Sequence, residues 1–228
     1  MRDTVRAFDS AAGGYDDWYR HPQGAQVLKA ELNAVERLIP SSGLGLELGA
    51  GTGVFAHGLT GPGRVIVCLD PSPGMTSRAA GKGLPSVLGV GDSLPFRGGA
   101  LDFTYMVTVL EFLGDPAAVF REAKAAAKAC SPLTVMFINP ESPWGRLYAE
   151  IGSRGDPVFR HAHLRGMDEA KAFLREAGYT VEEALGTLTT GPMEPEVGAE
   201  LRTGCEGCGV IAVRAKPIGW SSPNVLFS

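Results

Sequence analysis

Apolar residues recur at helical spacing across 22–38 (PQGAQVLKAELNAVERL), at Ala25, Val27, Leu28, Leu32, Val35 and Leu38. Pro40, Ser41, Ser42 and Gly43 end that pattern. The short apolar run 44–48, flanked by glycine, predicts a strand, and a helix begins after Gly53. Runs over 64–70, 85–92, 101–109 and 133–139 predict four further strands. Asp115 as N-cap and Pro116 at the first helical position open a helix over 115–129. A helix over 168–177 closes on Gly178, and 179–188 and 209–216 predict two last strands. The strands are near-continuous apolar runs, as strands covered on both faces should be. Strands and helical or turn segments alternate through the first five strands, which predicts an α/β, doubly wound, mostly parallel sheet. With no interior linker or repeat, residues 1–228 read as a single domain, ending in a surface-docked tail that carries Trp220 and Phe227.

Composition changes this picture at one point. Glycine accounts for 31 of 228 residues, about twice a usual share of roughly 7%. Its decisive cluster is Glu47-Leu48-Gly49-Ala50-Gly51-Thr52-Gly53, which follows a predicted strand and opens a predicted helix. Glycines at such a turn let the backbone approach a ligand closely. The spacing is neither the G-x-G-x-x-G of a dinucleotide site nor a phosphate loop with its following Lys. Asp70 ends the next strand, where an acid can accept from both hydroxyls of a ribose. Asp92 ends the third predicted strand, in Gly91-Asp92-Ser93-Leu94, where an acid beside an apolar residue can read an adenine amino group.

Taken together, ELGAGTG, CLDPSPGM, GDSLPF and LDFTYMVTVLEFLGDP resemble the class I S-adenosylmethionine-dependent methyltransferases. The resemblance is to their small-molecule group, methyltransferase type 11, similar to the ubiquinone and menaquinone biosynthesis enzymes, and it spans roughly residues 8–216. It implies a Rossmann-like methyltransferase fold, a seven-stranded sheet with the last strand antiparallel. It also implies S-adenosyl-L-methionine as cofactor, with S-adenosyl-L-homocysteine as product. Glu47 and the backbone of Gly49, Ala50, Gly51, Thr52 and Gly53 would then hold the methionine end. Asp70 would take the ribose hydroxyls, with Pro71, Ser72 and Met75 against ribose and adenine. Gly91, Asp92, Ser93 and Leu94 would read the adenine, and Val107 and Thr108 would border the methionine moiety. The aromatic segment around Tyr15 and Tyr19 resembles the one that closes over the cofactor. Residues 1–40 thus form a helical cap, 41–139 the cofactor-binding half, and 140–228 the substrate-side half with a C-terminal hairpin.

Candidate catalytic residues above the strand ends are Tyr19, Glu111, His161, His163, Cys205 and Cys208. His161 and His163 alternate in the long connection 140–167, where they share one face of an extended segment. Cys205-Glu206-Gly207-Cys208 lacks a second ligand pair of the kind that builds a zinc site, so no metal is assigned. The nucleophile that receives the methyl group is left open. A cofactor-binding module or partner subunit without turnover is the alternative, and an NAD-dependent oxidoreductase a weaker one.

Charge and composition narrow the partners. Lys plus Arg is 21 against 25 Asp plus Glu, for a net charge of −4, and no two Lys or Arg residues are adjacent. That disfavours a nucleic-acid partner and favours a small-molecule substrate. No run approaches a membrane span, and the N-terminal segment lacks the apolar stretch of a secretory signal. Four cysteines do not make a disulfide scaffold. The chain therefore reads as cytoplasmic, monomeric or homodimeric.

Overall fold

The computed structural model describes residues 2–219, so the predicted docked tail lies outside the described residues. Three helices come first: α1 (Arg2–Ala11), α2 (Asp17–Arg20) and α3 (Pro22–Leu38). The chain continues through β1 (Gly43–Leu48), α4 (Val54–Leu59), β2 (Arg64–Asp70), α5 (Pro73–Gly81), β3 (Ser86–Leu88) and β4 (Phe103–Val107). It then forms α6 (Pro116–Ala126), β5 (Leu133–Ile138), α7 (Pro143–Ser153), α8 (Met167–Glu176), β6 (Tyr179–Thr187) and β7 (Val210–Pro217). The seven strands make one sheet of order β3-β2-β1-β4-β5-β7-β6. Neighbours from β3 to β5 pair in parallel, and β7 runs antiparallel between β5 and β6. The expected α/β sheet, mostly parallel with an antiparallel last strand, is the observed one.

Alternation along the strands explains the two layers of helices. Every residue of β5 is buried, because successive side chains point to opposite faces. Leu133, Val135 and Phe137 pack with Phe120 of α6 and Leu174 of α8. Met136 and Ile138 pack on the other face, with Val35 of α3 and Phe55 of α4. A strand with two apolar faces needs cover on both, and the alternating helices supply it.

Two segments differ from the sequence-based expectation. The third strand is only Ser86–Leu88, shorter than 85–92. Residues after Leu88 turn instead, with Val90 bridged to Ser93, so Asp92 sits on a turn beyond the strand. The connection 140–167 holds a full helix, α7, where a long loop is expected. Ser142 Oγ accepts from Gly145 N at 2.9 Å and Pro143 occupies the first turn, two helix-start signals that are legible in the residues.

The strand order places the site. β1 and β4 are neighbours, with β2 and β3 lying beyond β1, so the loops leaving β1 and β4 diverge at their carboxyl ends and open a crevice. The close approach of β4 to β1 uses Gly45, where an added Cβ would lie 2.3 Å from the Phe103 ring. Gly45→Ala is expected to cost about 1–3 kcal/mol by overpacking, read as a lower urea midpoint with the slope unchanged.

Candidate active site

Two cavities lie over the carboxyl ends of the parallel strands. The first, about 500 Å³, is bordered by Gly49 and Gly51 after β1, Asp70, Pro71 and Ser72 after β2, Gly91 and Asp92, and Val107 and Thr108 at the end of β4. The second, about 610 Å³, lies between the N-terminal helices, α7 and the strand ends. Phe8, Tyr15, Thr108 and Phe112 belong to both walls.

The first cavity owes its floor to one carboxylate. Asp70 Oδ2 accepts from Gly51 N and Oδ1 from Ser72 N, each at 2.8 Å. A carboxylate has about four acceptor sites, so capacity remains for a ligand. Burial raises the Asp70 carboxyl above its usual value against the pull of those two amides. The three glycines of the turn divide the work. All have positive φ, of 67°, 54° and 75° for Gly49, Gly51 and Gly53. A Cβ on Gly49 would lie 2.6 Å from Val109 Cγ2, and one on Gly53 2.6 Å from Leu84 Cδ1. Gly51 alone is open, with nothing nearer than Met75 Sδ at 3.9 Å.

The remaining predicted cofactor residues stand back from this cavity. Glu47 is 2% exposed, and its Oε2 accepts from Ala56 N and Tyr105 Oη at 3.0 Å each. Through Oε2 it fastens α4 and β4 to β1, and it borders neither cavity. Met75 lies on the buried face of α5, Leu94 N donates to Glu122, and Thr52 turns to the cap. Ala50, Gly53 and Ser93 border neither cavity, and Tyr19 borders the second one only.

The cap is held by two acids that sequence reasoning missed. Asp9 Oδ1 accepts from Ser72 Oγ and Gly74 N, both at 2.7 Å. Asp16 accepts from Thr52 Oγ1 at 2.5 Å and pairs with Lys82 Nζ at 2.7 Å. Asp16 lies inside the aromatic segment singled out by its rings, and its charge was the available signal.

The methyltransferase-domain family matches residues 46–130, which spans β1 to the end of α6. An uncharacterized protein of Mycobacterium tuberculosis is 34% identical over 195 residues, covering 83% of this chain and 67% of its own length. A demethylmenaquinone methyltransferase of Corynebacterium kroppenstedtii is 29% identical over 220 residues, 94% of this chain and 93% of that one. A crystal structure from Thermotoga maritima, a SAM-dependent methyltransferase named as a possible histamine N-methyltransferase, superposes with a TM-score of 0.82 at 27% identity. The match covers 93% of this chain and 99% of that one. The chain belongs to the class I S-adenosylmethionine-dependent methyltransferases. The nicotinamide reading falls with that membership.

S-adenosylmethionine is the cofactor of the family, and the first cavity of this methyltransferase fits it. Beside Gly51 only Met75 Sδ comes within 4 Å of where a Cβ would stand, and Asp70 and Asp92 present acids along the wall. The catalytic candidates scatter. His161 and His163 edge the first cavity, and His163 N donates to Glu111 O at 2.8 Å. Among the described residues no group of three or more His, Cys, Asp or Glu is placed to hold a metal ion. Cys205 and Cys208 border neither cavity. Cys208 is buried against Gly186, and Cys205 packs on the core near α8. Glu111 is fully buried under the strand ends. Its Oε1 accepts from Ile138 N at 2.6 Å, while its Oε2 has no partner among the described residues.

A missed residue, Glu31 of α3, borders the second cavity at 6% exposure. Burial pushes Glu31 and Glu47 up to about 8 and Glu111 up to about 7, from 4.5. A folded carboxyl that holds its proton more tightly than the unfolded one stabilises the native state fully only below the unfolded value. The methyltransferase should therefore lose stability as pH rises from about 4.5 to about 8. Melting temperatures across that range check this, and Glu47→Gln, which keeps an acceptor for Ala56 N, should make the fall shallower.

Proposed function

We propose that this methyltransferase moves the methyl group of S-adenosylmethionine to a small molecule held in the second cavity. The observation that carries the reading is the common wall of the two cavities at Tyr15, Thr108 and Phe112. A nucleophile and a methyl donor must meet in line at about 3 Å, and such placement is worth about 7–11 kcal/mol in favourable cases. Bound in the first cavity, the cofactor supplies a sulfonium-activated methyl group whose positive charge vanishes on transfer.

The chain's own residues orient and exclude water. Asp70 accepts from the ribose hydroxyls with the lone pairs left by the Gly51 and Ser72 amides. Gly51 gives the ligand room beside the backbone, and Asp92 with its neighbouring turn faces the base. Val107 and Thr108 set the methionine end against the second cavity. Thr108 and Leu188 are the two non-glycine residues of positive φ among the described residues, at 48° and 57°. Both border the second cavity, a placement typical of strained backbone at working sites. A volume of about 610 Å³ suits a small acceptor. Two relatives bear the names of unlike acceptors, histamine and demethylmenaquinone.

Titration calorimetry with S-adenosylmethionine tests the cofactor site. Asp70→Ala should weaken binding about tenfold or more, since hydrogen bonds to a charged group contribute about 1.5–3 kcal/mol. Gly51→Val should do the same, by filling the open side of the turn and straining a φ of 54°. Wild-type affinity in both variants, or tight binding of NAD in place of S-adenosylmethionine, would overturn the assignment. Release of S-adenosylhomocysteine on a metabolite panel is the expected sign of turnover. Intact binding with no release across a broad panel would make the chain a binding module.

A further inference from the structure

Glu31 stands where its helix calls for an apolar residue. Its neighbours on the same face of α3, Val27, Ala30, Ala34 and Val35, are all core. A carboxyl buried among them is costly unless something pairs with it. Among the described residues none donates a hydrogen bond or an ion pair to it, and the charged group acting on it most strongly is another acid, Glu111. Its side chain edges the second cavity, whose border contains no Lys, Arg or His. The other acid there, Asp156, already accepts from Val158 N and Phe159 N at 2.9 and 2.8 Å. Aromatic residues line the same cavity, among them Trp18, Phe112, Tyr148 and Phe159. Ring faces attract cations, by about 0.5–2 kcal/mol each. A cavity with aromatic walls, one unpaired carboxyl and no positive group lacks one thing, a cation.

We propose that the acceptor of methyl transfer is an amine attached to an apolar or aromatic body, and that Glu31 binds its ammonium form and takes the proton from its nitrogen. This rests on reading the second cavity as the acceptor site. The ammonium N–H bond breaks, a carboxyl O–H bond forms on Glu31, and the electron pair stays on nitrogen. An ammonium has no lone pair for a methyl group, so the step is required of any amine acceptor that binds charged.

The titratable groups that interact with Glu31 are Tyr15, Tyr19 of α2, Tyr148 of α7 and Glu111, and Asp156 borders the same cavity. Burial holds the phenols protonated, Tyr15 up to about 12 and Tyr19 and Tyr148 well above their usual range. With no amine bound, burial keeps Glu31 largely protonated at pH 7. Binding an ammonium ionises it, and the displaced proton passes to solvent. Amine binding should therefore release close to one proton at pH 7, and less above about 8.

Calorimetry on the full chain saturated with S-adenosylhomocysteine, in two buffers of different ionisation heat, reads both affinity and protons. The probes are phenethylamine and tryptamine, against their neutral counterparts 2-phenylethanol and tryptophol. The expected result is at least about tenfold tighter binding of an amine than of its alcohol, with proton release for the amine only. Glu31→Gln should abolish that preference and that release, while S-adenosylhomocysteine, bound in the first cavity, keeps its wild-type affinity. Equal binding of amine and alcohol, no binding of either amine, or unchanged release from Glu31→Gln would overturn the proposal. A wild-type chain that fails to bind S-adenosylhomocysteine would instead overturn the functional reading beneath it. The wild-type comparison of amine with alcohol stands even if the variant folds poorly.

Discussion

Asp70 ties two loops together, and both cavities inherit their shape from that tie. Its carboxylate takes the Gly51 amide from the turn after β1 and the Ser72 amide from the turn after β2. Both turns leave adjacent parallel strands, and the one carboxylate is the common acceptor of their amides. The tie also sets the cap. Ser72, held by Asp70, is itself the donor that Asp9 of α1 accepts from. One carboxylate thus fixes a floor, and the floor fixes a roof.

Much of the fold was legible because apolar runs of two-faced strands are hard to mistake. β5 is buried along its whole length, and the glycine turn follows β1 as the residues suggested. β3 was overestimated because Val87 to Asp92 reads as a strand from side chains alone. At the sheet edge no neighbour on its outer side holds those residues in a ladder. α7 escapes a reading of 140–167 as one connection around its two histidines, although Ser142-Pro143 is a helix start.

The site was legible in its backbone more than in its carboxyls. Gly51, Asp70 and Asp92 border the first cavity, while Glu47, four residues before Gly51, turns inward to Tyr105 and Ala56. In register Glu47 lies opposite Cys68, two residues before Asp70, so the two acids share a face of the sheet and differ in how far along the strands they stand. Glu31 was invisible for a different reason. A glutamate within an amphipathic helix reads as solvent-facing, and only the packing of the cap and α7 shows that water is largely excluded around it.

The cap carries a kinetic consequence. Phe8 and Tyr15 border both cavities, and the segment bearing them is anchored through Asp9 and Asp16 to the very loops that line the first cavity. A segment that forms part of two enclosures cannot swing away from one and leave the other sealed. On the proposed function, a ligand that left either cavity by displacing this segment would open the other as well, which would tie both residence times to the strength of the two acidic anchors.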